Sequence, residues 1–503
     1  MLAASLVAIA LLAGAFSPSV RVDHENRPSY GCFHAAIALG PVPSGSGQPV
    51  YAVIQDDSLA GIVTKRSDII FQRSTDQGAT WLGQDIIIKR GEMFAGYPDI
   101  TTDAEGAVFV VYTEGVNNTH NHVYCVRSTD AGATWSTPVM VDDNPSPVAI
   151  GWARIVADPA GRLFAAWNGN HTGQLRIWSS VSTDRGATWS SSIRVDDDTV
   201  PGGCYHTDIA VQPGTDDFLV VASAPYWSGP GQIRYHSYLY RSTDMGQSFE
   251  PGVQLDTFDS YCGQPHVVAD AGHIICDYSG STPTSGNQTI TEARTLYAPP
   301  DTWGPRVPVT YLDSLHSSEL NGNNLAISAD GRVHVALMVY DHAAMQDGIF
   351  YASSSDHGAS WSDRERVNDD SLDNQSDPDI AVDSAGFAYL VWQDGRNNRQ
   401  EIWFSTNATV GVEERRTLHA ERLTFRAEPS ICRGPVELHI AGRRSALSLS
   451  LLDPAGRLIR RWPLGISDSS FPLDLRSMPA GVYLVRVAAG GEATETKVLL
   501  LPN

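Results

Sequence analysis

The sequence has little positive charge and lacks the signatures of several protein classes. Its 503 residues carry 35 Lys and Arg against 57 Asp and Glu, a formal net charge of −22, and contain no basic run that could follow a phosphate backbone. Beyond the N-terminus no apolar stretch approaches the ~20 residues of a membrane helix. Ser-His-Asp and Cys-His nucleophile phrases, phosphate-binding glycine loops and zinc-ligand spacings are also missing. We therefore predict no nucleic-acid partner and no membrane span in the mature chain, and no motif here identifies an enzyme.

The N-terminus has the character of a signal peptide, which we assign to residues 1–17. Residues 1–15 are almost wholly apolar, and either Ala13-Gly-Ala15 or Ala15-Phe-Ser17 offers a cleavage site of small residues. A membrane anchor is the alternative, although the apolar segment is short for one. We predict that the chain is exported and acts as a secreted or cell-surface protein.

Cysteine is scarce, with six residues in the whole chain. Export would permit disulfides, but six cysteines do not define a pairing by themselves. Cys204 and Cys262 stand at the same position before equivalent strands of neighbouring repeats, so a bridge between them is one interpretation. Buried free thiols are the other.

One phrase recurs along the chain with the pattern Ser-x-Asp-x-Gly-x-Thr/Ser-Trp/Phe. Five copies end at Trp81, Trp135, Trp189, Phe249 and Trp361, and a degenerate sixth ends at Trp303. The steps of 54, 54, 60, 54 and 58 residues suit one four-stranded propeller blade per repeat. Asp and Ser side chains can bond the backbone of such a turn, and Gly supplies a positive φ. The predicted structural aspartates are Asp76, Asp130, Asp184, Asp244 and Asp356.

The repeats therefore predict that residues 18–411 form an all-β, seven-bladed propeller. Seven equivalent first strands begin near His34, Asp99, Arg154, Asp208, His266, Asn324 and Asp379. The last module stops near Asn407 without a fourth strand, and Val20-Arg-Val-Asp23 resembles the fourth strand Ile193-Arg-Val-Asp196. We expect this N-terminal strand to close the ring, which would remove two free sheet edges. Six blades is the alternative.

The composition changes from Val412, and strand, turn and strand patterns in residues 412–503 predict a second, small β-sandwich. This segment resembles the immunoglobulin-like C-terminal sorting domain of type IX secretion cargo. The likeness rests on Gly481-Val-Tyr483 and on Lys497-Val-Leu-Leu-Leu501. It implies a bacterial protein that uses the secretion machinery as a partner and is released or attached at an outer surface.

The recurring phrase resembles the Asp-box (BNR) repeat of sialidases and many other propellers, over most of residues 18–410. In such propellers these boxes lie on the face opposite the ligand site. The other face, formed by the starts of the first strands and the loops between second and third strands, is the channel mouth. The predicted ligand-binding residues at this mouth are His34, Asp99, Trp152, Arg154, His206, Asp208, His266, Asn324, Asp379 and Arg396. The alternative is that these polar groups only line a wet channel.

The resemblance to sialidases implies three arginines for the substrate carboxylate, a Tyr nucleophile activated by Glu, and an Asp acid/base. Here Phe33-His-Ala-Ala-Ile37 replaces the family's Arg-Ile-Pro phrase, and only Arg154 and Arg396 fall at the predicted mouth. We therefore expect a propeller that binds a glycan or protein ligand without classical sialidase chemistry. An exo-sialidase-like glycoside hydrolase with a divergent site is the alternative.

Acidic residues cluster in the loops that lead into the first strands. They comprise Asp142-Asp143, Asp196-Asp-Asp198 and Asp369-Asp370, with Asn144 and Asn368 beside them. Oxygen-rich clusters of this kind can hold Ca²⁺, although no EF-hand spacing is present. Solvated turns are the alternative interpretation.

Overall fold

The computed structural model divides the chain into two compact units, residues 1–408 and 409–503. In the first unit the structure describes residues 16–24, 31–43, 47–57, 67–90, 94–117, 120–144, 148, 150–197, 203–229, 232–256, 262–281, 289–297, 302–309, 316–341, 345–369, 374–397 and 399–408. In the second it describes the eight strands given below. All regular elements among these residues are β-strands, and they include no helix that could cross a membrane.

The first unit contains seven antiparallel sheets of four strands. The strands of blades 1 and 2 are β2 (Cys32–Leu39), β3 (Val50–Asp56), β4 (Asp68–Ser74), β5 (Ile86–Lys89), β6 (Phe94–Thr102), β7 (Val108–Asn117), β8 (His120–Ser128) and β9 (Val139–Met140). Those of blades 3 and 4 are β10 (Ile150–Ala157), β11 (Leu163–Gly169), β12 (Arg176–Ser182), β13 (Ile193–Arg194), β14 (Tyr205–Gln212), β15 (Asp217–Gly229), β16 (Gln232–Ser242) and β17 (Val253–Gln254). Those of blades 5 and 6 are β18 (Cys262–Ala269), β19 (His273–Ser281), β20 (Thr289–Tyr297), β21 (Thr302–Pro308), β22 (His316–Ile327), β23 (Val333–Asp341), β24 (Gln346–Ser354) and β25 (Glu365–Arg366).

Blade 7 is assembled from both ends of the propeller. Its strands are β26 (Gln375–Val382), β27 (Ala388–Asp394), β28 (Glu401–Thr406) and β1 (Val20–Arg21). In the antiparallel pair of β1 and β28, Val20 lies opposite Phe404, and the Val22 amide donates to the Ile402 carbonyl at 2.8 Å. The first strands of neighbouring blades touch all the way around the ring, including β26 with β2. Seven blades and closure by the N-terminal strand are thus confirmed, and the six-blade alternative is wrong.

Buried apolar clusters hold the blades together, one at each junction between neighbours. The second strands are apolar on both faces because each sheet packs against a blade on either side. The stretch Val108–Tyr112 is fully buried, for example. Between blades 3 and 4, the rings of Phe164 and Phe218 stack with centroids 4.3 Å apart. The core of the propeller is therefore a closed series of sheet-on-sheet interfaces.

The Asp boxes are the turns between third and fourth strands, as predicted. In blade 1 the Ser74 hydroxyl donates to Asp76 at 2.6 Å and accepts from the Gly78 amide at 2.8 Å. The amide of Thr80 donates to the Asp76 carboxylate at 2.8 Å. The same three bonds recur around Asp130, Asp184, Asp244 and Asp356. These carboxylates are saturated by their own turns, which accounts for their structural role.

The structure bears on the predicted disulfide and on the residue at the end of the predicted signal peptide. Cys204 is a buried free thiol, so the bridge to Cys262 is wrong; the Cys262 side chain lies outside the described residues. Ser17, the last residue of the predicted signal peptide, forms hydrogen bonds with β28 of blade 7. Its amide donates to the Thr406 carbonyl at 2.9 Å, and its carbonyl accepts from the Ser405 hydroxyl at 2.6 Å. The signal peptide itself stays a prediction, because residues 1–15 lie outside the described ones.

The second unit contains two sheets. The strands of the three-stranded sheet are β29 (Thr424–Glu428), β31 (Val436–Ala441) and β34 (Ser470–Leu473). Those of the five-stranded sheet are β30 (Ile431–Cys432), β32 (Leu447–Leu452), β33 (Leu458–Leu464), β35 (Gly481–Ala489) and β36 (Glu492–Leu500). The immunoglobulin-like assignment and the sorting role stay predictions.

Candidate functional site at the channel mouth

The first strand of every blade is bulged where it passes the propeller axis. The register of its pairing with the second strand shifts at equivalent places in all seven blades. Five non-glycine residues at these bulges have a left-handed backbone: His34, Tyr97, Trp152, His206 and Asp377, with φ between +37° and +52°. Each such residue costs roughly 1–2 kcal/mol relative to an ordinary backbone. Repeated strain at one ring of positions is typical of functional sites.

These five side chains converge on a cavity of about 310 Å³ at the axis. The described lining residues are His34, Ala35, Tyr97, Pro98, Trp152, Ala153, Arg154, His206, Thr207, Gln264, Pro265, His266, Asn324, Asp377, Pro378 and Asp379. The volume is at the lower end of the ~300–1,000 Å³ range of small-molecule sites. The cavity therefore has room for a small ligand or for the end of a larger one.

An aromatic shelf, formed by His34, Tyr97, Trp152 and His206, occupies the upper layer of the cavity. Successive ring centroids lie 4.9, 5.1 and 4.7 Å apart, with interplanar angles of 42° to 49°. Each ring belongs to a different blade, so four consecutive blades contribute to one continuous surface. All four side chains are among the residues that line the cavity.

Polar groups flank both ends of the aromatic shelf. Gln264 Nε2 lies 3.1 Å from His206 Nδ1, and Asp377 Oδ2 lies 3.9 Å from His34 Nδ1. Burial lowers the pKa of His206 to about 4, and it also lowers the pKa of His34. Burial raises the pKa of the Asp377 carboxyl. The two shelf histidines are consequently neutral at pH 7.

The floor of the cavity is a single arginine among three aspartates. Arg154 Nη1 lies 3.8 Å from Asp99, and its Nε lies 4.0 Å from Asp208. Asp379 contributes a third nearby charge. Burial raises the pKa of Asp99 to about 7 despite the attraction of Arg154, and it also raises the pKa of Asp379. The floor therefore carries more carboxylates than the arginine can balance.

The floor aspartates also join neighbouring blades. Asp99 accepts from the Ile155 amide at 2.8 Å, and Asp208 accepts from the Val267 amide at 3.0 Å. Asp379 accepts from the Ile37 amide at 2.8 Å. Each carboxylate reaches the first strand of the following blade, so this layer works as a set of inter-blade latches. At the floor of the cavity, these bonds support the alternative interpretation that the polar groups only line the channel.

The predicted site residues divide into three groups by position. His34, Trp152, Arg154, His206, His266, Asn324 and Asp379 line the cavity, whereas Asp99 and Asp208 stand behind Arg154. Arg396 is outside the described lining; its guanidinium lies 3.7 Å from the ring centroid of Trp403 and donates to Asp394 and Asp369 at 2.7 and 2.9 Å. The cavity is also lined by Tyr97, Gln264 and Asp377. These residues occupy the same position in their first strands as His34, Trp152 and His206, so the aligned strands indicate them too.

The acidic loops around the mouth are tied into the blades. Asp142 is buried and accepts from the Val123 amide at 2.7 Å, and Asp196 likewise accepts from the Ile177 amide at 2.8 Å. The same bond recurs at Asp23, Asp256 and Asn368. The apolar-Asp phrase that follows most fourth strands is the sequence signal for this bond. These oxygens already have protein partners, and Ca²⁺ binding there stays a prediction; Asp198 and Asp370 lie outside the described residues.

The first unit is a seven-bladed β-propeller in which five blades carry an Asp box between their third and fourth strands. Residues 59–215 match the family model described as a BNR repeat-like domain. No curated protein sequence matches the chain.

Several solved structures resemble it at low identity. An α-L-arabinanase of Penicillium chrysogenum complexed with arabinobiose is 13% identical, covering 77% of this chain and 98% of that chain with a TM-score of 0.44. A protein of unknown function from Dyadobacter fermentans is 12% identical, covering 78% and 98%, with a TM-score of 0.46. A sialidase of Trypanosoma rangeli is 10% identical, covering 82% and 85%, with a TM-score of 0.41. These likenesses assign no activity to this chain.

Proposed function

We propose that the protein binds the end of a neutral glycan at the channel mouth and lacks classical sialidase chemistry. The observation that carries the proposal is the aromatic shelf, to which each of four blades contributes one ring from a left-handed backbone position. A structural lining would not need repeated strain to present aromatic side chains. A ligand surface would benefit from it, because the rings are held in place before binding.

The chemistry of the shelf suits a sugar. Aromatic faces pack against the C–H faces of a pyranose or furanose, and a few placed polar groups fix its hydroxyls. Gln264 and Asp377 supply such groups at the two ends of the shelf, and the neutral His34 can either donate or accept. A cavity of about 310 Å³ would hold one or two sugar residues.

The charge of the floor favours a neutral sugar over a carboxylated one. Arg154 is the only arginine among the described lining residues, and Asp99 and Asp208 already lie within 4.0 Å of it. A sialic acid carboxylate would have to compete with those aspartates for the guanidinium. It would also meet Asp377, whose side chain is 42% exposed in the mouth. We therefore expect sialylated glycans to bind more weakly than their neutral counterparts.

We further propose that the protein works outside the cell, as a secreted or surface-attached molecule. The apolar N-terminus and the likeness of the C-terminal segment to type IX sorting domains support this placement. A protein ligand that displays a glycan is compatible with the same site.

Glycoside hydrolysis with a divergent site is the second candidate function. Its specific support is Asp377, a partly exposed carboxyl whose pKa is raised by burial, as a general acid requires. Hydrolysis would also need a second carboxylate or another nucleophile facing the substrate. The floor aspartates hold backbone amides instead.

The test is a glycan array probed beside fluorogenic neutral glycosides and a fluorogenic sialoside. We expect binding to neutral glycans without turnover of the sialoside. Hydrolysis of any of these glycosides would establish the hydrolase instead, provided that Asp377→Asn abolishes it. Asp143→Asn, which changes an exposed residue of the rim, is the control and should leave that hydrolysis intact. Preferential binding of sialylated glycans would contradict the proposed charge selectivity, and absence of glycan binding together with absence of turnover would refute both candidates.

A further inference from the structure

A cluster of two histidines and one aspartate lies on the Asp-box face, opposite the mouth. Asp270 lies in the turn between β18 and β19 of blade 5, His273 is the first residue of β19, and His357 belongs to the Asp box of blade 6. His273 Nδ1 lies 2.9 Å from Asp270 Oδ1, and His357 Nδ1 lies 3.0 Å from Asp270 Oδ2. The cluster thus spans the junction between two blades.

Local turn geometry places these three groups. The Gly272 amide donates to Asp270 Oδ1 at 2.7 Å, which fixes the carboxylate in its tight turn. His357 occupies the left-handed position of its Asp box, with φ +56°. In the other four boxes this position carries Gln77, Ala131, Arg185 and Met245. A histidine here is therefore not required by the turn.

The equivalent junction between blades 2 and 3 shows how an ordinary charge contact is made there. Arg185, at the position of His357, forms salt bridges with both Asp103 and Glu105. At the junction between blades 5 and 6 an imidazole takes the place of that permanent cation, and the ring of His273 stacks on it with centroids 3.7 Å apart and an interplanar angle of 18°. The lone pair of an imidazole nitrogen lies in the ring plane, so a shared metal ion requires the two rings to turn towards it from this stack.

The hydrogen bonds of the cluster are incomplete. His357 Nδ1 is buried and makes no hydrogen bond among the described residues, although it lies 3.0 Å from Asp270 Oδ2. A buried nitrogen without a hydrogen bond, beside a carboxylate, is what a metal ion would satisfy.

We propose that Asp270, His273 and His357 bind one divalent transition-metal ion of the Zn²⁺ type, which clamps blade 5 to blade 6. The two Nδ1 atoms and one carboxylate oxygen are the ligands, and these atoms all lie within 4.8 Å of one another. Tetrahedral Zn²⁺ with bonds of about 2.0–2.2 Å holds its ligand atoms roughly 3.3 Å apart. The two nitrogen–oxygen distances in the cluster, 2.9 and 3.0 Å, are slightly shorter and run to different oxygens of Asp270, so metal binding needs a small shift of the side chains. Imidazole ligands select Zn²⁺, Cu²⁺ or Ni²⁺ over Ca²⁺. The partial exposure of all three side chains leaves a fourth position for water.

The test uses the full-length protein stripped with a chelator and dialysed, then titrated with Zn²⁺ by calorimetry and with Co²⁺ by visible absorption. We expect one tight site per chain, a rise in melting temperature on Zn²⁺ addition, and no comparable rise with Ca²⁺. His357→Gln should weaken that site at least tenfold while preserving the fold, since Gln77 occupies the same position in blade 1. His122→Gln, which removes a histidine paired with Asp142 elsewhere, is the matched control and should bind as the wild type does.

Two results would overturn the proposal. The first is that the wild-type protein takes up no more Zn²⁺ than His357→Gln does. The second is that neither His357→Gln nor His273→Gln changes the affinity for Zn²⁺. Circular dichroism of each variant without metal separates loss of the site from loss of the fold.

Discussion

Gly132 provides a test of how the Asp boxes fasten one blade to the next. It has φ +83°, and a Cβ added there would lie 2.1 Å from Cε1 of Phe71 in the preceding blade. Phe71 is fully buried and packs edge-to-face against Trp135 with centroids 5.1 Å apart, so it has little room to withdraw. In Gly132→Ala the left-handed backbone costs roughly 1–2 kcal/mol. The overlap with Phe71 costs a further ~1–3 kcal/mol.

Gly173→Ala is the matched control for backbone strain. Gly173 has φ +87°, but a Cβ there would meet no atom within 4 Å. Its cost should therefore be the backbone term alone, roughly 1–2 kcal/mol. Thermal unfolding followed by tryptophan fluorescence should rank wild type above Gly173→Ala and Gly173→Ala above Gly132→Ala. Equal melting temperatures for the two variants would refute the inference that the box glycine is required by contact with the neighbouring blade.

Two further predictions concern pH and processing. The pKa of Asp99 in the folded protein is about 7, above the ordinary value of about 4. Between pH 4 and pH 7 the folded chain therefore holds a proton that the unfolded chain has released. Folding stability should consequently fall as pH rises through that range. Asp99→Asn, which can still accept from the Ile155 amide, should show a shallower fall in melting temperature between pH 4 and 8; an unchanged slope would contradict the assignment. N-terminal sequencing of the exported protein should begin at Phe16, because cleavage after Ser17 would remove its bonds to blade 7, and a start at Pro18 would contradict this.

Much of the propeller could be predicted because each blade repeats the same local physics. The Asp-box phrase specifies a turn through its own Ser, Asp and Gly, so its spacing counts blades without knowledge of the ring. The similarity of Val20–Asp23 to a fourth strand then predicts the closure with β28. The mouth residues Trp152 and His206 were also identifiable, since they occupy equivalent positions in aligned strands.

The parts that could not be predicted depend on how blades meet. The sequence around Asp99 and Asp379 does not show that each carboxylate accepts a hydrogen bond from a backbone amide of the following blade rather than facing a ligand. The left-handed backbone of Trp152 has no signal of its own, because no glycine marks it. Arg396 lies outside the cavity because Trp403 and two aspartates hold it there, a contact between adjacent strands that composition does not reveal.

One comparison of affinities decides whether the aromatic shelf is a glycan-binding surface. Calorimetric titration with a neutral glycan identified on the array would measure the Kd of Trp152→Ala beside that of Trp189→Ala, a residue of the same blade on the Asp-box face. Loss of a central stacking ring should cost at least about 1.4 kcal/mol, or tenfold in Kd, for Trp152→Ala. Folded Trp189→Ala should bind the glycan as the wild type does. If Trp152→Ala bound it as tightly as the wild type, the aromatic shelf would not be the binding surface.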